Sequence, residues 1–201
     1  RLGDTLLKQK HIFEAEGTFR PGNLFDYLTR SQVTGVLEAR DILIAVLQGM
    51  GEIWPDGSWI DNVAIGDAGY HEVVKRSDIT DGIVPFHKLS QWMSYSLIEP
   101  LQEAGFKVNN LDALTGLAEY RNGGLFIDTK AISLKDKTQL EVVHDPKSPL
   151  VVEWRALTVA LLDKLAEKVR RSTNTDPGSM PLASILQGGT WSAGRRIAQQ
   201  L

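Results

Sequence analysis

The chain of 201 residues contains no cysteine. That absence removes disulfides, thiolate nucleophiles and thiolate metal ligands together, and it suits a reducing interior, from which a cytoplasmic location is expected. Histidine is scarce too, with 4 residues scattered along the chain, so no metal site is read from it and no cofactor is expected. No apolar run approaches the roughly 20 residues of a membrane-spanning helix, and no membrane partner is expected. Lys and Arg number 22 against 25 Asp and Glu, a net charge of −3. Tight binding to a phosphate backbone needs clustered cations in excess, so nucleic acid is not an expected partner. The group Lys164, Lys168, Arg170 and Arg171 reads instead as the solvated end of a helix, where cations complement the dipole. A Gly-x-Ser-x-Gly elbow, a phosphate-binding loop and the dinucleotide glycine fingerprint are all missing, which argues against a serine triad and against ATP, GTP or NAD.

What is present belongs to a globular protein. An apolar fraction of 42% with 23% charged residues and this length favour one well-buried domain over residues 1–201. The chain opens on Arg1 without a methionine, and RLGDTLLKQ already has helical spacing, so it reads as part of something longer. The stretch LVVEWRALTVALL, residues 150–162, carries only Glu153 and Arg155 as charges, and its apolar residues fall on every side of a helical wheel. A helix apolar all round is expected to be buried. Burying either charge unpaired costs several kcal/mol, and residues two apart point to nearly opposite sides, so each needs its own partner. A polar pocket and a structural ion-pair network both satisfy that need.

Helical patterns dominate elsewhere. Asn23 reads as the N-cap of a helix over 23–31, and a second helix over 38–48 meets Gly49 and Gly51 as stop signals. Residues 52–81 are rich in Trp, Gly and Asp, without period, and read as a long ordered loop with room for a short strand. Its Trp54 and Trp59 suit a pocket wall or lid, or a packed Ω-loop. Pro85 suits the first turn of a helix whose apolar face is Phe86, Leu89, Met93, Leu97 and Leu101, with Pro100 kinking or shortening its end. His87, Lys88 and Gln91 form a polar strip beside that face. A short helix is expected over 111–117, and NGGLFID reads as a turn entering a short β segment at 125–128. Ser148 as N-cap and Pro149 at N1 open the central helix, which runs to about Ser172. NTDPGS is a linker, and after 181–186 Thr190 caps a last helix. The expected fold is therefore mainly α: a helical domain around a buried central helix, with a small β element.

The densest group of chemically capable residues is Glu119, Tyr120, Arg121 and Asn122, followed by Gly123 and Gly124, which permit close backbone approach. A carboxylate there can stabilise positive charge at a sugar carbon or act as a base. A capped turn with a surface ion pair explains the same spacing.

The segments RPGNLFDYL, VPFHKLSQWMSYSLIEPL, LDALTGLAEYRNGGLFID, VVEWRALTVALLDKL and LQGGTWSAGRRIA resemble the uracil-catabolism family of fungi and bacteria, in which this region is the C-terminal half of a longer protein. More distantly, three of them resemble the queuosine salvage N-glycosylases, which carry a Lys-x-x-Gln helix, a Thr-x-Phe-Ala-Asp-Tyr-Arg turn and a buried Glu-x-Arg-Ala helix. The matching positions here are Lys88 with Gln91, then Thr115 with Leu117, Ala118, Glu119, Tyr120 and Arg121, then Glu153, Arg155 and Ala156. Glu119 replaces that family's aspartate. The resemblance implies a queuosine-salvage-like, DNA-glycosylase-like helical fold and an N-ribosyl hydrolase, an N-glycosidase acting on a ribosylated pyrimidine or ribosylurea, as nucleoside or 5′-phosphate. It implies Glu119 as the catalytic carboxylate, Lys88, Arg121 and Arg195 as phosphate and hydroxyl anchors, and Glu153 and Arg155 near the ribose. Gln91 falls with the binding residues, and His87 and Tyr120 are candidate proton donors. The alternative is a non-catalytic partner or scaffold of the pathway's ring-opening enzyme, engaging it through the Trp-bearing segment 52–81.

Overall fold

The computed structural model describes residues 1–30 and 34–201. They fall into two compact units, residues 1–68 with 87–114 and residues 69–86 with 115–201. Both are built largely of helices.

The first unit contains α1 (Leu2–Lys8), α2 (Lys10–Phe13), α3 (Asn23–Thr29), α4 (Ala39–Met50) and α5 (Lys88–Glu103). Helix α4 buries Ala39, Ile42, Ala45, Val46 and Met50 along one stripe, the 3.6-residue pattern that its sequence carries. These pack with Phe13, Leu37, Ile98, Leu101 and Leu114 in one core, where each large side chain contributes about 1.5–3 kcal/mol by leaving water. Strand Val36–Glu38 precedes α4 and pairs in parallel with Lys107–Asn109 beyond α5.

Several sequence expectations are corrected here. Gly49 does not stop α4 but lies within it, because a Cβ there would stand 2.8 Å from the Phe13 ring and only glycine lets the ring abut the helix. Asn23 is the first helical residue of α3 rather than its cap. Its amide donates to the carbonyls of Phe13 (2.7 Å) and Thr18 (3.1 Å), tying the helix to the pair Glu14–Ala15 and Thr18–Phe19. The helix expected over 23–31 ends at Thr29, and Ser31 lies outside the described residues. Pro85 ends strand Ile83–Pro85, and α5 begins only at Lys88. That helix buries Ser90, Gln91, Ser94, Ile98 and Leu101, while Leu89 is 45% exposed. The face is rotated because the serines are small enough for close packing, and Ser94 satisfies its hydroxyl by donating to Ser90 O at 2.8 Å. Pro100 sits inside α5, which continues to Glu103. The helix expected over 111–117 is a single tight turn, Leu111–Ala113.

Residues 52–81, read as a long ordered loop with room for a short strand, contain more β structure than that. Ser58–Ile60 and Val63–Gly66 form an antiparallel hairpin with a register irregularity at Ser58 and Trp59. Asp61 and Asn62 turn it at φ 45° and 63°, the left-handed conformation that two-residue hairpin turns demand and these residue types tolerate. A turn ending at Asp56 and Gly57 precedes the hairpin, closed by Gly57 N–H donating to Trp54 O at 3.4 Å.

The second unit pairs strands Ala68–Tyr70 and Ile83–Pro85 and contains α6 (Tyr120–Asp128), α7 (Pro149–Thr173), α8 (Leu182–Ile185), a π-helical turn (Leu186–Trp191) and α9 (Ser192–Ala198). Ser148 and Pro149 open α7 as expected, although the serine side chain makes no capping bond. Arg170 and Arg171 occupy its last turn. Helix α7 is not buried all round: Val152, Thr158, Leu162 and Ala166 are buried, whereas Glu153 is exposed and Leu157 is 42% exposed. A sequence apolar on every side sets what a helix can bury, and its neighbours set what it does bury. The expected β segment at 125–128 is the end of α6. Asn-Gly-Gly reads as a turn, but Gly123 faces the Trp154 indole, where a Cβ would stand 2.7 Å from the ring, and this packing favours helix over turn. Thr190 caps nothing, because the chain runs through it in the π-helical turn. Linker Asp176 accepts from the N–H groups of Gly178 (2.7 Å) and Ser179 (3.0 Å). Among the described residues no helix is long and apolar enough to cross a membrane, and no group of three or more acidic, His or Cys side chains is placed to hold a metal.

Candidate functional site

Glu119 stands at the junction where extended backbone enters α6. Its own backbone is extended, at φ −124° and ψ 162°, and its carbonyl accepts the first helical bond, from Gly123 N–H at 2.9 Å. A carboxylate at this position is favoured by the helix dipole, and its Oε1 is shielded from solvent. The preceding Leu117 and Ala118 are buried, and their carbonyls are held by side chains from elsewhere in the unit. Asn122 Nδ2 donates to Leu117 O at 3.0 Å, and Arg155 Nε to Ala118 O at 3.4 Å. The Arg155 guanidinium also lies 4.0 Å from the Phe86 ring centroid, so the part-buried charge from α7 has both an acceptor and an aromatic face. Glu153, two residues earlier, is exposed and solvated; the two charges need no shared pocket.

A second feature follows on α6. Arg121 places its guanidinium 5.1 Å from the Tyr120 ring and 4.8 Å from the Trp191 ring, and Arg195 lies 5.8 Å from the same indole. Two guanidinium groups thus lie at one aromatic platform, and arginine is a residue type able to grip an anionic oxygen with paired N–H bonds.

His87, Lys88 and Gln91 belong to the first unit. There Asp67 organises the start of α5: its carbonyl accepts from His87 N–H at 2.8 Å and its Oδ2 from Lys88 N–H at 3.0 Å. His87 sits in the left-handed region at φ 50°. Its Nδ1 is buried with no hydrogen-bond partner among the described residues. Burial holds its pKa below the usual 6.5, against the opposing pull of the Asp67 charge. Gln91 is buried at 4% exposure.

The structure thus gathers Glu119, Tyr120, Arg121, Arg155 and Arg195 in the second unit, leaves Glu153 in solvent, and places His87, Lys88 and Gln91 in the first. Sequence reasoning missed Asp67, Phe86, Trp191 and Thr190, whose roles depend on partners 21 to about 70 residues away. The only available signal was the nearness of Trp191 to Arg195. A cleft of about 560 Å³ lies among α6, α7 and α8–α9, lined by Leu125, Leu165, Val169, Ile185, Thr190 and Arg196. None of the anticipated residues lines it.

The family described as "Protein of unknown function (DUF1688)" matches residues 1–201. Uracil catabolism protein 4 of Lachancea kluyveri is 38% identical over 223 residues, covering 98% of this chain and 50% of that protein. Protein urg3 of Schizosaccharomyces pombe (strain 972 / ATCC 24843) is 40% identical over 151 residues, covering 74% of this chain and 36% of its own length. The chain therefore spans about half, or less, of these curated relatives. No solved structure matches the chain.

Proposed function

We propose, from the premise that this chain belongs to the DUF1688 family and is similar to a protein named for uracil catabolism, that it forms part of an N-ribosyl hydrolase of that pathway. The substrate is a ribosylated pyrimidine or ribosylurea, as nucleoside or 5′-phosphate. In the reaction the bond between sugar C1′ and the leaving nitrogen breaks, water oxygen joins C1′, and a proton goes to the nitrogen. The sugar passes through an oxocarbenium-like state, which a fixed carboxylate stabilises while it orients the water. Glu119 is that carboxylate. Arg121 and Arg195 bind anionic or hydroxyl oxygens, and Arg155 acts by holding the Ala118 carbonyl. Tyr120, His87, Lys88, Gln91 and Glu153 remain candidates to be tested one at a time.

The observation that carries the reading is the placement of Glu119: a partly shielded carboxylate at the mouth of a helix, on a segment whose carbonyls are clamped. The test is incubation of the full-length protein with uridine, its 5′-monophosphate and the ribosylurea forms, following release of ribose or ribose phosphate. Glu119→Gln is expected to lower kcat by about a hundredfold or more, the scale of losing an electrostatic or acid–base group, with thermal stability retained. Unchanged turnover removes Glu119 from the chemistry.

A second reading has one observation in its favour. Trp59 and Val63 of the hairpin are 57% and 63% exposed, and exposed aromatics suit a protein interface. A scaffold for the ring-opening enzyme would keep pathway flux in Glu119→Gln and lose it in Trp59→Ala.

A further inference from the structure

Asn122 and Thr190 form a deeply buried polar pair in the second unit, at 1% and 3% exposure. Thr190 Oγ1 donates to Asn122 Oδ1 at 2.9 Å, and the Asn122 amide in turn donates to Leu117 O at 3.0 Å. The hydroxyl has one proton, and its other acceptor in range, Leu186 O, is distant at 3.4 Å, so the bond to Asn122 is the one it makes. Both ends of the amide are thereby committed, and its orientation is set by two partners rather than one. Leu117 O also accepts from Glu119 N–H at 2.9 Å. The chain of bonds therefore runs Thr190, Asn122, Leu117, Glu119. Thr190 lies in the π-helical turn Leu186–Trp191, an insertion of a kind that appears frequently at functional sites. Behind it α9 sets Gly194 on the backbone of α6, where a Cβ would stand 2.5 Å from Arg121 O, so α9 packs closely against α6 one residue before Asn122.

We propose that Thr190 and Asn122 are positioning residues that hold the Leu117–Glu119 segment, and through it the Glu119 carboxylate, and that the π-helical turn serves to deliver the Thr190 hydroxyl. This rests on the hydrolase reading for its consequence in catalysis, but not for its geometry. A misplacement of a reacting group by about an ångström costs up to a hundredfold in rate.

The experiment uses the full-length protein as wild type, Thr190→Val, which keeps the shape and removes the hydroxyl, and Thr190→Ser, which keeps the hydroxyl. Amide hydrogen exchange at Glu119 and Gly123 is measured beside sugar release. In Thr190→Val, exchange at these two amides is expected to accelerate about tenfold or more while α4 amides stay at the wild-type rate. kcat should fall about tenfold or more with KM within about twofold, since only an interaction made in the transition state is misaligned. Thr190→Ser should restore both. Wild-type exchange at Glu119 and Gly123 in Thr190→Val overturns the proposal, as does a serine variant no better than valine. Faster exchange throughout both units, with kcat and KM altered together, also overturns it, because that is a general loss of structure. If the wild-type protein releases no sugar from any substrate, the hydrolase reading falls, and exchange at the two amides alone decides the positioning role.

Discussion

His87 shows how a single residue can tie backbone strain to proton chemistry. It adopts the left-handed conformation at the start of α5 and holds a buried, unpartnered Nδ1, which keeps its pKa below 6.5. In the window from about pH 6.5 down to the lowered folded value, the unfolded chain binds more protons than the folded one, so stability falls as pH falls. Above that window the contribution of neutral His87 is fully present. Urea unfolding at a series of pH values should show this loss, and His87→Asn, a residue that tolerates positive φ, should flatten it. An unchanged slope in the variant assigns the acid sensitivity to other groups. Glu153 and Glu119 make the complementary point. Both are carboxylates in motifs that resemble one family, yet one ends in solvent and the other at a helix mouth beside clamped carbonyls. Position along the chain could not separate them, because the separation comes from what packs around each.

At the scale of elements, the readings that held were those with local causes. The opening of α7 at Ser148 and Pro149 and its basic last turn at Arg170 and Arg171 follow from backbone preferences and the helix dipole. Those that failed depended on a neighbour. Helix α6 passes through Asn122-Gly123-Gly124 because glycine admits the Trp154 indole there, and α9 likewise requires Gly194 against the Arg121 carbonyl. Gly194→Ala should cost about 1–3 kcal/mol through this overpacking, measured by chemical denaturation. Gly3→Ala in α1, where a Cβ meets nothing within 4 Å, should instead be neutral or stabilising by up to about 1 kcal/mol. Equal effects would show that the α6–α9 contact is looser than the distances indicate.

For the whole molecule, the consequential fact is that both units are discontinuous in sequence. The second takes residues 69–86 from the middle of the first, and Phe86 and Val84 from that insert pack with Ala118, Val152, Ala156 and Val159. A fragment of residues 115–201 would lack them and leave Arg155 without its aromatic face. Followed by circular dichroism, it is expected to melt without the cooperative transition expected of the intact chain, whereas addition of residues 69–86 through a linker should restore it. A fragment that melts cooperatively without them would demote this insert to decoration. The residues carrying the family resemblance are distributed over both units in the same way, with Lys88 and Gln91 in one and Glu119 and Arg155 in the other.

Composition and local pattern were sufficient for the mainly helical character, the lack of thiol chemistry in this chain and the position of the long helix from Pro149, because each depends on residue types and on spacings within a few turns. Which face of α5 is buried, that α7 exposes Glu153, that α6 is a helix at all, and that Thr190 serves Asn122 rather than a cap were decided by tertiary packing. These outcomes turn on contacts between residues far apart in sequence, such as Thr190 with Asn122, 68 positions apart, and no local preference encodes which surfaces will meet.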